Sequence, residues 1–226
     1  MKKLSQVIAL AGVMSAGLVG VQAVQAEVSA SAAVANNYIF RGLLMGSGTP
    51  AVSGALDYSH ESGAYAGVWG GSGDTAAGDE YNVYVGFGGE SGDFTYDVNY
   101  LSYLYPTGTA STLGELAEVT VGLGYKDFGL TVTAPVNDST DVFGNSYVYT
   151  KASYSFGKFG VLVGNNTAET QDAGEFAFDY THVNVSYAYT DNVTFSASQI
   201  VDGDAELNNY TEELLLQVSY SLPIEL

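Results

Sequence analysis

From Val28 onward the chain alternates apolar or aromatic residues with small or polar ones, segment after segment. A period of two is the mark of a strand whose two faces meet different surroundings. Val28, Ala30, Ala32, Val34, Tyr38 and Phe40 share one parity, and Ser29, Ser31, Asn37 and Arg41 share the other, which predicts a first strand over 28–41. The same reading predicts strands over 51–60, 64–70, 81–88, 94–105, 116–125, 128–136, 146–156, 159–165, 176–189, 193–201 and 210–222. In the sixth, Ala117, Val119, Val121 and Leu123 oppose Glu118, Thr120 and two glycines. The third is ambiguous, because Ala64, Ala66 and Val68 face one way and Tyr65, Gly67 and Trp69 the other.

That makes twelve strands, and their connections alternate in length. Tight turns fall at Glu61-Ser62-Gly63, Glu90-Ser91-Gly92-Asp93, Lys126-Asp127, Gly157-Lys158 and Thr190-Asp191-Asn192. Longer links fall near 43–50, 71–80, 106–115, 137–145, 166–175 and 202–209. Short turns at one end and long loops at the other are what a bacterial outer-membrane barrel requires. Unpaired strand edges are costly in lipid, and closing the last strand on the first removes both. The expected fold is therefore all-β: a closed antiparallel up-and-down transmembrane β-barrel of about twelve strands. A secreted sandwich has the same period. The length alternation, the start of the chain and tyrosines near strand ends favour the barrel.

The start reads Met1-Lys2-Lys3, then a mostly apolar run from Leu4 to about Val21, then Val24-Gln25-Ala26. A basic start, an apolar middle and small residues before the cut describe a secretory signal peptide over 1–26, with the barrel domain over 27–226. The rival is a membrane helix, and Gln22, Gln25 and the small-residue end argue against it. There is no cysteine, so no disulfide framework and no thiolate chemistry is available. Beyond Ala26 the only basic residues are Arg41, Lys126, Lys151 and Lys158, against 25 acids, a net charge of −21. Such a surface repels nucleic acid. With 18 tyrosines, 28 glycines and only four prolines, the composition suits strands, tight turns and aromatic girdles rather than disorder.

Few residues offer chemistry. Arg41 and Lys151 are the only bases with lumen parity, and Asp57, Asp97, Glu118 and Glu213 share it. These six are the candidates for a lumen charge network or an ion-filtering constriction. Four acids against two bases favour cations. Arg41 is expected to pair with Glu118 or Glu213, since Asp57 belongs to the far end of the next strand. His182 has lumen parity and His60 closes the second strand, but no spacing joins histidine, serine and acid into a catalytic set. Asp202–Glu206 and Asp138–Asp141 fall short of the twelve-residue calcium loop. Gly86-Phe87-Gly88-Gly89 and Gly122-Leu123-Gly124 precede no helix, so they are not phosphate loops. The expectation is no catalytic residue, no metal and no cofactor.

The stretch Asn37-Tyr38-x-Phe40-Arg41-Gly42, then Pro50-Ala51-Val52-x-Gly54-x-Leu56-Asp57-Tyr58, then Glu61-x-Gly63-x-Tyr65-x-Gly67-x-Trp69 resembles the signature of the TorF-type porin family. That resemblance implies a conserved bacterial outer-membrane barrel and diffusion or transport without a named substrate. The reading is a porin-like channel for passive diffusion of small hydrophilic solutes, favouring cations. The alternatives are a non-conducting structural or surface-receptor barrel and a His182 hydrolase. Expected partners are outer-membrane lipid and lipopolysaccharide, small hydrophilic solutes or cations, and no nucleic acid.

Overall fold

The computed structural model describes residues 26–74, 77–108, 110–136, 147–168, 178–203 and 210–225. The predicted signal peptide, apart from Ala26, and the Asp138–Asp141 loop lie outside the described residues, as does most of the Asp202–Glu206 loop.

Twelve strands form a closed antiparallel barrel. In chain order they are β1 (Glu27–Ala35), β4 (Ala51–Ser59), β5 (Ala64–Asp74), β6 (Gly78–Ser91), β7 (Phe94–Leu104), β8 (Leu116–Tyr125), β9 (Phe128–Pro135), β10 (Tyr147–Phe156), β11 (Phe159–Ala168), β12 (Tyr180–Ala188), β13 (Val193–Gly203) and β14 (Leu215–Glu225). The remaining two, β2 (Ile39–Phe40) and β3 (Leu43–Leu44), pair only with each other. Each barrel strand pairs with its neighbours in sequence, and β1 closes the ring against β14 with Val34 opposite Tyr220. Among the described residues every barrel strand has a partner on both sides, so the sheet has no edge strand, as a lipid-embedded sheet demands.

The two faces separate as alternation predicts. Val52 is 59 % exposed, Leu123 59 % and Leu216 61 %, all pointing outward. Their strand neighbours Ser53, Gly122 and Gln217 point inward, and Gln217 is buried. An outward face this apolar is suited to hydrocarbon. Near the tight turns, outward aromatic rings pack between strands: Phe94 on Tyr125 at 4.7 Å, Phe128 on Tyr154 at 4.4 Å and Phe159 on Tyr187 at 4.9 Å. This is an aromatic belt at one interface. The structure also settles β5. Val68 faces out, while Tyr65 and Trp69 pack inward against the lumen core.

Three expectations need correction. The first strand stops at Ala35 rather than Arg41. Asn36 keeps one backbone bond to β14, and the chain then turns off the wall, where the side-chain amides of Asn36 and Asn37 both donate to the Leu216 carbonyl, at 3.1 and 2.9 Å. Tyr38 and Phe40, read as lipid-facing, are instead buried inside the barrel. Second, the link expected near 71–80 is mostly strand, because β5 and β6 extend to Asp74 and from Gly78 with a register shift between Gly71 and Asp74. Third, β14 begins at Leu215, so Glu213 is not on the wall; it is exposed in the approach to the strand.

Candidate functional site

The lumen has two unlike halves. We call them the loop end, towards the long connections, and the turn end, towards the tight turns. At the loop end the chain folds back into the barrel as a two-residue hairpin, with Phe40 opposite Leu43 and Arg41-Gly42 at its tip. Both tip residues have positive φ, 49° at Arg41 and 86° at Gly42, the geometry of a type I′ turn. Glycine suits its place for a second reason. A Cβ at Gly42 would lie 2.5 Å from Cγ of His182, inside contact distance.

The hairpin is gripped by the wall. Arg41 Nη2 donates to Glu118 Oε2 at 2.7 Å. Tyr103 donates to the same carboxylate at 2.7 Å, and Tyr147 donates to its other oxygen. The guanidinium also lies over the rings of Phe40 and Tyr149, each at 4.7 Å, a favourable cation–π arrangement. Arg41 lies at the hairpin tip, off the spanning strands. Burial works against its charge, but Glu118, with Tyr147 and Tyr103, holds it protonated above its ordinary pKa. Tyr38, in the stem, donates to Glu80 at 2.8 Å. Burial, and then the charge of Glu80, raise its hydroxyl well above the ordinary value.

Around these polar ties lies an apolar cluster. Leu43 is fully buried, and Phe40 and Met45 pack with it against Tyr84, Leu101, Tyr103, Leu116, Tyr147, Tyr149 and Ile200. His182 joins its rim. Its Nε2 is 2.8 Å from the Tyr149 hydroxyl and its ring stacks beside Tyr149. His182 is thus bracketed by tyrosines, not by serine and a carboxylate. His60 sits in a tight turn, where its Nδ1 is 2.9 Å from Ser62 Oγ.

The turn-end half is different. Asp97 accepts from Tyr65 at 2.9 and 3.0 Å, Asn99 donates to that same tyrosine oxygen at 3.1 Å, and Asp57 accepts from Tyr84. Lys151 stands on β10, six places from Asp57's β4 in a ring of twelve, and therefore on the opposite wall. Among the described residues Lys151 has no ion-pair partner. Ser153, Ser155 and Asn184 also line this half and are partly exposed, while Asp97, Asn99, Ser186 and Ser196 are buried.

The structure thus brings Arg41 and Glu118 together. It leaves Asp57, Asp97 and Lys151 on separate parts of the wall, and it puts Glu213 outside. Reading the sequence missed Glu80, which is 1 % exposed, and Asp74, also buried. Glu80 shares parity with Asn82 and Tyr84 just ahead of the predicted strand, so extending that strand inward by one step would have found it. The hairpin left a signal too: Leu43-Leu44-Met45 is too apolar for a solvated loop.

Fold and lumen together define a transmembrane barrel of porin architecture. The chain belongs to the family described as "Bacterial protein of unknown function (Gcw_chp)", whose profile matches residues 21–221. No curated relative matches it. Among solved structures it is similar to one titled "KdgM porin", with TM-score 0.50 and 5% identity over 88% of this chain and 99% of that one. Another, from work on in-meso crystallization of membrane proteins, has TM-score 0.52 and 10% identity over 87% of this chain and 83% of that one. The COG4313 outer membrane channel from Pseudomonas putida F1 overlaps at TM-score 0.44 and 12% identity, over 93% of this chain and 100% of that one. At these identities the first two likenesses are of fold, and the third carries no weight.

Proposed function

We propose that the protein is an outer-membrane, porin-like channel for passive diffusion of small hydrophilic solutes, narrowed at its loop end and favouring cations. The observation that carries this reading is the polar, small-residue lining of the turn-end half within a closed barrel whose outer face is apolar. A structural barrel has no need of a wet interior, whereas a conduit does. The cation preference is supported by the lumen acids. Glu118 is offset by Arg41, while Asp57, Glu80 and Asp97 face the lumen with tyrosine partners and only Lys151 stands against them. The resemblance to TorF-type porins supports diffusion or transport and names no solute.

A second reading, a non-conducting structural or receptor barrel, is favoured by the packed loop-end half. Planar-bilayer recording of the purified full chain in a potassium chloride gradient separates them. Small discrete steps reversing on the potassium side are expected. An anion-side reversal would sink the cation preference. Silence from both the full chain and a variant with residues 39–44 replaced by two glycines would sink the channel.

A further inference from the structure

We infer that the Ile39–Leu44 hairpin is a hinged plug that closes the loop-end half of the lumen, with Arg41–Glu118 as its latch. The inference rests on the channel reading above and adds the regulation of that channel.

Four observations converge on it. The hairpin is a unit of its own. Its strands pair only with each other, and the Met45 amide closes its base on the Tyr38 carbonyl at 3.0 Å. The ties described between hairpin and wall run through side chains: Arg41 to Glu118, Tyr38 to Glu80, and the apolar packing of Leu43. A unit held in this way can leave without breaking the barrel ladder.

Its two ends differ in the manner of a hinge. On one side, Asn36 is fixed to β14, accepting from the Val218 amide at 2.8 Å while its own amide donates to the Val218 carbonyl at 3.2 Å. On the other, the return to β4 runs through Gly46-Ser47-Gly48, with Gly48 at φ 75°, a backbone that glycine adopts freely.

The tip residue is a further sign. The first position of a type I′ turn favours asparagine, aspartate or glycine. Arginine there adopts a left-handed backbone that its Cβ resists, and strain of this kind is kept where a side chain has work to do. Here the side chain reaches Glu118. Finally, opening would expose Phe40, Leu43 and Met45, so the closed state is the resting one.

The test uses the full chain in lipid and exploits its lack of cysteine. A single Leu43→Cys reports plug position through its reaction with a membrane-impermeant maleimide. Combined with Glu118→Gln, the labelling rate is expected to rise at least about tenfold, since removing one partner of a buried ion pair uncouples the other. Tyr38→Phe, which keeps the packing and loses only the bond to Glu80, should give a smaller rise in the same direction. In planar bilayers Glu118→Gln and the two-glycine replacement of 39–44 should open longer or wider than the wild type. Equal labelling and equal conductance across these variants, with steps present in all, would overturn the plug and leave the channel standing. No steps in any of them would overturn both.

Discussion

The two halves of one lumen follow opposite rules, and β10 crosses both. Its inward positions run Tyr147, Tyr149, Lys151, Ser153, Ser155 from loop end to turn end, and their burial falls along the way from 1 % exposed at Tyr147 to partly exposed serines. At the loop end the interior resembles the core of a soluble protein, with aromatic rings, a fully buried leucine and one ion pair whose carboxylate takes three donors. At the turn end the wall is lined with hydroxyls and amides, and its two acids are each steadied by a tyrosine. The difference lies both in the wall, whose inward residues change from tyrosine to serine along β10, and in the chain that fills the lumen. The hairpin sets Phe40 and Leu43 among wall aromatics and completes a core at one end. A barrel can therefore carry a constriction by folding a six-residue hairpin inward, without changing strand number.

The sharpest way to break this comparison is to remove the acid under the hairpin. Glu118→Ala leaves Arg41 buried without its partner and strips two tyrosines of their acceptor. It should destabilise the folded barrel by about 3–5 kcal/mol, read as a lower urea midpoint in lipid vesicles. Asp57→Ala at the turn end loses one tyrosine bond in a half-exposed setting and should cost under about 1.5 kcal/mol. Equal costs would mean the two halves are alike.

Packing gives the next contrast. Leu43→Ala empties a fully buried site and should cost about 2–5 kcal/mol. Ser153→Ala, on the wet wall, should stay within about 0.5 kcal/mol. The same urea titration decides both.

The smallest effect is electrical. A unit charge about 10 Å from a permeating ion in water-like surroundings is worth about 0.4 kcal/mol, a factor of about two. Because the charge acts in opposite senses on the two ions, Asp57→Asn and Asp97→Asn should each lower the potassium-to-chloride permeability ratio by about fourfold, measured from reversal potentials. Glu118→Gln removes the charge that balances Arg41 and so also makes the lumen one charge more positive, but there the change comes together with release of the plug and is not a charge effect alone. A larger selectivity change at Glu118 than at Asp57 or Asp97 would move the filter to the loop end.

Much of this molecule was legible in its sequence, and for a definite reason. Period-two alternation and turn residues are local signals, and every barrel strand pairs with its sequence neighbours, so local signals suffice to order the ring. Lys126-Asp127 and Gly157-Lys158 fall where the chain turns. Parity placed Arg41 and Glu118 in the interior and named Glu118 as a possible partner for Arg41. It failed at Tyr38 and Phe40, which continue the alternation of β1 but leave the wall at Asn36 and Asn37. Nothing in a two-residue period distinguishes a strand that carries on from one that folds back into its own barrel. The informative marks were of another kind: an Asn-Asn pair at the exit, an apolar Leu43-Leu44-Met45 in a would-be loop, and an Arg-Gly pair able to make a tight turn. Glu213 was misplaced because parity continues past the true start of β14.

The most direct measurement is a cysteine scan along β10 in the full-length protein in lipid, made possible by a chain with no cysteine of its own. Single substitutions at Tyr147, Tyr149, Ser153 and Ser155 would be labelled with a small hydrophilic thiol reagent. The turn-end positions 153 and 155 should react close to the rate of a free thiol. Positions 147 and 149 should be slower by about a hundredfold or more, because they are reached only when the plugged half opens locally. A uniform rate along the strand would contradict the division of the lumen into a packed half and a wet half.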